Sequence, residues 1–207
     1  MKHLDHLVYA SPDLQTGIDQ IEKLLGIRAE FRGRHLKLGT HNALLALGPK
    51  CYLEIVAPDP EQTNFQGPLL FSLDTITEPR LVTWVARTDQ VEDLAARPLD
   101  RGLRLGEVVS GSRQTPEGTT LTWKATNPYT VIADGVVPFL IDWEQSAHPA
   151  GSAPSGALLV ELRAEHPEAA HVQTILEQLN LELPVSKGPQ PALVATIDCP
   201  LGRVELR

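Results

Sequence analysis

His6 and Glu54 each interrupt an apolar run, His6 within Leu4-Asp-His-Leu-Val-Tyr-Ala10 and Glu54 within Cys51-Tyr-Leu-Glu-Ile-Val-Ala57. A buried imidazole or carboxylate is costly unless it is paired, hydrogen-bonded or bound to a metal, so two of them in core strands call for a common site. The pair can ligate a divalent ion, act as an acid and a base, or simply satisfy each other as a buried histidine and carboxylate. His41 is the candidate third group, because it begins the strand beside that of Glu54, and the amide of Asn42 can orient a ligand or a substrate oxygen. A lone histidine next to Gly-Thr also serves as an ordinary loop hydrogen-bonder. His35 lies across a turn at Gly39 and matches no recurrent ligand spacing, so it reads as surface.

Tyr52, Trp84, Trp123 and Trp143 are large aromatics, most often core, but those that face a cleft can stack on a flat substrate. Arg113 precedes Gln-Thr-Pro-Glu-Gly118, a turn signal, and is either a solvated loop arginine or a clamp on a carboxylate or phosphate. No chemistry is assigned to His148, His166 or His171.

The elements that must carry these residues follow from periodicity. A strand at Leu4–Ala10 runs through Ser11-Pro-Asp, a helix-capping signal, into a helix at 14–25 with Leu14, Ile18, Ile21 and Leu25 on one face and Gly26 as its stop. Strands are expected near 30–34, 41–47 and 52–57, giving the order β-α-β-β-β. A second such unit has strands near 81–87, 106–112, 119–125 and 138–143, with a helix near 90–101 ending at Gly102. A third has strands at 157–163, 192–199 and 203–206 and a helix from about 167 to 179 ending at Asn180. Each stop precedes an aliphatic residue, Ile27, Leu103 or Leu181, as a repeated packing contact would. The last unit reads as a truncated βαββ module. The Pro/Ser/Gly-rich stretch 148–156 is a linker, so a two-module domain over 1–147 (modules about 3–60 and 80–145) is followed by a partial module over 157–207 packed on it.

Two β-α-β-β-β units set side by side can curve their bare sheet faces around a common cleft lined by alternate strand residues. Leu4, His6, Val8 and Ala10 then share one face and Tyr52, Glu54 and Val56 another, so His6 and Glu54 project inward together.

Composition sets the surroundings. The chain has 207 residues, 42% of them hydrophobic, enough for a sizeable core. Its net charge of -8 and unclustered Lys and Arg argue against nucleic acid as a partner. No apolar run is long enough to span a bilayer, and the N-terminus enters a strand pattern without a signal-peptide apolar region, which favours the cytoplasm. Cys51 and Cys199 both sit in strand-like runs and suggest neither a disulfide framework nor a cysteine zinc site. The expected partner is a small molecule.

The ordered repeat, the opening Leu4-Asp-His-Leu-Val-Tyr-Ala-Ser-Pro-Asp-Leu14 and the segment Tyr52-Leu-Glu-Ile-Val-Ala-Pro58 resemble the vicinal oxygen chelate superfamily in its glyoxalase-like branch. Gly39-Thr-His-Asn-Ala-Leu-Leu45 and Pro138-Phe-Leu-Ile-Asp-Trp143 resemble uncharacterised glyoxalase-like proteins of that branch. The resemblance implies an α+β protein of the glyoxalase/bleomycin-resistance/dioxygenase fold. It also implies a divalent metal (Zn, Ni, Mn or Fe not distinguished) on His6 and Glu54, which chelates a substrate through two neighbouring oxygens. No nucleotide cofactor is implied. Metal-bearing members usually draw further ligands from the second unit. Here the repeat spacing sets Val82, or by a short slip Thr83 or Trp84, against His6, and Ile141 against Glu54, with Asp142 one position out of phase. The four-ligand pattern of glyoxalase I is therefore absent.

Three functions follow. One is a metal-dependent lyase, isomerase or oxygenase. Another is a metal-free protein that sequesters a small molecule in the same cleft. The third is a metal-free enzyme with Glu54 as general base and His6 or His41 as partner, with Asn42, Tyr52, Trp84, Arg113 and Trp123 contacting substrate. Either a monomer or a homodimer could close the cleft.

Overall fold

The computed structural model describes residues 3–115 and 118–207. Pro116 and Glu117, within the turn read at 114–118, lie outside the described residues. The first unit is β1 (Leu4–Ala10), α1 (Leu14–Leu25), β2 (Glu30–His35), β3 (Thr40–Gly48) and β4 (Cys51–Pro58). The second is β5 (Arg80–Arg87), α2 (Val91–Ala96), β6 (Val108–Gln114), β7 (Thr120–Thr126) and β8 (Phe139–Asp142). The third is β9 (Leu158–His166), α3 (Ala169–Gln178), β10 (Val185–Lys187), β11 (Ala192–Cys199) and β12 (Gly202–Leu206). Among the described residues no helix is long and apolar enough to cross a membrane.

The first helix forms as its sequence dictates. Asp13 caps it by accepting the backbone N–H of Thr16 at 2.8 Å, its buried face is Leu14, Gly17, Ile18, Ile21 and Leu25, and Gly26 ends it in the left-handed region at φ 71°. The second helix is half its expected length, because Pro98 has no N–H to continue it. The chain turns again through a short 3-10 segment at Asp100–Gly102 instead.

The first eight strands form one sheet in the order β2-β3-β4-β1-β5-β8-β7-β6. Its two halves meet where β1 runs antiparallel to β5, and in each half the opening strand lies parallel to the closing one, β1 to β4 and β5 to β8. β1 and β4 are thus hydrogen-bonded neighbours in the middle of the sheet. The sheet curves until its edges meet: the Arg113 guanidinium on β6 donates to the backbone carbonyl of Arg32 on β2. The concave face carries Val8, Leu44, Tyr52, Val56, Val85, Ile141 and Trp143, while the convex face packs under the helices through Leu7, Leu45, Leu53, Ile55, Trp84 and Leu140.

The third unit is not a shortened copy. It contains one more strand than its sequence pattern gives, β10, and its order β10-β9-β11-β12 puts the opening strand inside the sheet. Leu162, Val172, Ile175, Leu193 and Ile197 join the same apolar cluster as the convex face. A three-residue strand flanked by Pro184 and Gly188 is too short for alternation to register.

At Gly17 the helix comes so close to the sheet that an added Cβ would sit 2.6 Å from Ile55 Cγ2 and 2.9 Å from Ser11 Cβ. Glycine to alanine inside a helix ordinarily gains stability; here the sign reverses, and Gly17→Ala is expected to cost about 1–3 kcal/mol in urea unfolding through overpacking.

Candidate active site

The concave face surrounds a cavity of about 420 Å³. His6, Tyr52, Glu54 and Asn42 line it from the first half, and Arg113, Trp123, Phe139, Ile141 and Trp143 from the second. On β3 the alternate residues Thr40, Asn42 and Leu44 face inward.

Glu54 is the centre of the polar cluster. Its Oε1 accepts from the Asn42 amide at 2.7 Å and lies 3.9 Å from Nε2 of His35. Its Oε2 lies 3.8 Å from Nε2 of His6, beyond hydrogen-bonding distance. The His6 ring stacks on Tyr52 with centroids 4.4 Å apart and an interplanar angle of 13°. The other acceptor of Asn42, Oδ1, is buried with no hydrogen-bond partner among the described residues.

Behind His6 stands Asp5, fully buried. Its carboxylate meets His6 Nδ1 at 2.8 Å, His148 Nε2 at 3.1 Å, the Trp143 indole N–H at 3.1 and 3.2 Å, and the Arg87 guanidinium at 3.4 Å. Burial alone would raise its pKa, but the hydrogen bonds from His148 and His6 and their charges outweigh this and hold the carboxyl far below the usual carboxylate range. An ionised carboxylate only accepts, so His6 Nδ1 must be the donor. Nε2 therefore points at Glu54 either as a lone pair or, in the imidazolium, as N–H.

Asp5 and His6 are adjacent in a strand, where alternation would send them to opposite faces. The pairing of β1 with β5 slips between Leu4 and His6, a bulge that lets both reach the same polar network. Sequence carried no signal for it, nor for the role of His148, which tethers the linker to Asp5.

Three placements differ from the expectation. His41 faces away from the cavity, packed on the convex side 3.9 Å from Asp59 and edge-on to Phe31, because it is one residue out of phase with Asn42. Trp84 is only 2% exposed, and its indole N–H donates to the carbonyl of Val136 at 2.8 Å beneath the second half. Neither touches the site. His35, read as surface, is buried in it, with Nδ1 3.0 Å from the Thr40 hydroxyl; burial lowers its pKa and keeps the ring neutral. His35 is the last residue of β2, paired with Thr40 on β3, which sets its ring beside Glu54; the strand expected from sequence stopped one residue short of it.

Tyr52, Asn42, Arg113 and Trp123 do line the cavity. Trp123 lies 5.4 Å from Trp143, and its indole crosses Gly111 on the neighbouring strand, where any Cβ would overlap it.

The metal that the resemblance implies would need donors beyond His6 and Glu54. In the second half, Val85 pairs with Phe139 as His6 pairs with Tyr52, so the residue equivalent to His6 is Val85 rather than Val82, and Ile141 stands for Glu54. Both are aliphatic. Among the described residues no group of three or more His, Cys, Asp or Glu is placed to hold a metal ion, whereas catalytic zinc sites use three protein donors. This donor set does not fit a resident catalytic metal.

Paired βαβββ units around one cleft define the vicinal oxygen chelate type of fold. The glyoxalase-like domain matches residues 4–180, and the chain belongs to that family. The match runs through the linker into the third unit. None of the curated proteins compared with the chain matches it. Among solved structures, a hypothetical protein from Staphylococcus aureus is similar at 15% identity and TM-score 0.60, over 98% of this chain and 83% of that one. Methylmalonyl-CoA epimerase from Mycobacterium tuberculosis is similar at 22% identity and TM-score 0.43, over 67% and 86%. A mutant of 4-hydroxymandelate synthase from Streptomyces coelicolor is similar at 11% and 0.43, over 98% and 61%. At these identities the likeness is one of fold.

Replacing Asp5 by Asn leaves four donors around a group that is itself partly a donor. Asp5→Asn is expected to cost about 2–4 kcal/mol at neutral pH. A depressed folded-state pKa stabilises above the unfolded value and is lost as pH falls below it. Urea midpoints should thus show the wild-type advantage intact at pH 7 and shrinking below about pH 4.

Proposed function

We propose that this chain is an enzyme that moves a proton beside the oxygens of a small anionic molecule, with Glu54 as general base and His6 as the facing acid. The observation that carries this reading is the gap of 3.8 Å between Glu54 Oε2 and His6 Nε2, a carboxylate oxygen and a ring nitrogen aimed at one point in the cavity. The separation is too long for a direct hydrogen bond, so the pair suits a substrate group placed between an acceptor and a donor. The Asp5 carboxylate accepts from His6 Nδ1 and so fixes the ring with Nε2 directed at the cavity, as a carboxylate behind a catalytic histidine does.

In this arrangement Oε2 takes a proton from a carbon next to a carbonyl. The Nε2–H of His6 meets the carbonyl oxygen as negative charge grows on it, and Asn42 holds the carboxylate in line through Oε1. Arg113 and Lys37 line the same cavity and provide positive charge for a carboxylate on the substrate. Trp123, Tyr52 and Phe139 form walls that exclude water. A 2-oxo acid, with keto and carboxylate oxygens on adjacent carbons, is the simplest substrate of this description.

In D2O, the protein should speed deuterium incorporation at C3 of 2-oxobutyrate, read by proton NMR, and Glu54→Gln should slow it at least about 100-fold. Failure of a panel of 2-oxo acids to exchange above the buffer rate would overturn the reading.

Protein purified without chelator should hold well under one divalent ion per chain, and exchange should continue in EDTA. One ion per chain that disappears in His6→Ala would overturn the metal-free mechanism.

Sequestration is the second reading, favoured by the aromatic walls. It requires binding that is indifferent to Glu54→Gln and no exchange in the wild type.

A further inference from the structure

A second cavity, also about 420 Å³, lies behind the first. Val82 and Val137 of the second unit and Ala192 and Leu193 of β11 form its apolar wall, while Arg80 and Thr130 add hydrogen-bonding groups. The third unit thus closes a chamber that the paired units alone leave open.

Three residues, Phe71, Pro128 and Phe139, line both cavities, so the two share one wall. The rings of Phe71 and Phe139 stack 6.4 Å apart at 24°. Phe71 sits on the segment joining β4 to β5, and both it and Ser72 adopt the left-handed region, at φ 57° and 56°. Two successive non-glycine residues there are strained, and such strain persists where surrounding packing imposes it, commonly at ligand clamps.

We propose that the two cavities form one bipartite site for a conjugate: an oxygen-bearing anionic head over Glu54, joined by an amide to an apolar tail that passes Phe71 into the chamber closed by the third unit. The head placement rests on the function proposed above; the tail placement rests on the second cavity alone. The mixed wall suits an amide followed by carbon chain, because its donors and acceptors would leave a pure hydrocarbon facing unpaired groups. The third unit is then a specificity element.

N-acetylglycine, N-hexanoylglycine and N-decanoylglycine carry one head and amide on tails of increasing length, and calorimetric titration compares them directly. Affinity should rise about tenfold or more from the acetyl to the decanoyl compound as methylenes leave water. Val131→Trp, at an exposed position on the chamber, and Ala192→Phe should each remove that gain. Equal affinity across the series, no binding by any member, or a gain that survives both variants would overturn the proposal. Arg113→Gln should weaken all three acids alike. If N-acetylglycine ignores that change while the length dependence holds, the head-group reading falls and takes the bipartite site with it, leaving only a tail chamber.

Discussion

A single buried carboxylate organises the site. Asp5 has no solvent to keep it ionised, so its charge depends on the donors from His6, His148, Trp143 and Arg87. Those donors come from β1, the linker, the end of β8 and the end of β5, which means that the charge can be satisfied only when both halves of the sheet and the linker have docked. In return, the carboxylate fixes the ring of His6 with one nitrogen engaged and the other directed at Glu54. Orientation of His6 toward Glu54 is therefore a by-product of satisfying a buried ion.

The paired halves have the same strand scheme but unequal chemistry. The first contributes His6, His35, Asn42 and Glu54, whereas the equivalent positions of the second are taken by Val85 and Ile141 and its contribution is walls and a guanidinium. A duplicated scaffold of this sort separates two demands: one half holds the polar cluster, the other shapes and charges the space around it.

Much of this was legible from sequence because the relevant signals were local. Alternation and capping marked β1, α1, β4 and β11, and the resemblance of the opening and Tyr52–Pro58 segments placed His6 and Glu54 in one cleft. What escaped depended on register or on long-range contact. The bulge at Leu4–His6 moved Asp5 into the site. The phase of β3 turned His41 out and Asn42 in, although both had been candidates. His35 reaches Glu54 because β2 runs one residue further than its sequence pattern, to a pairing with Thr40 across the turn. Trp84 is core because its strand face, not its residue type, decides the matter. The Pro98 break in α2 was visible in sequence, but helical periodicity on either side of it masked the stop.

The meeting of β2 and β6 has a thermodynamic corollary. The guanidinium on β6 and the Arg32 carbonyl on β2 close that seam. A ligand held in the cavity between β2 and β6 would rivet the opposite margins of the sheet to one molecule. Occupancy and resistance to unfolding would then be coupled across the whole barrel, far from any atom that reacts.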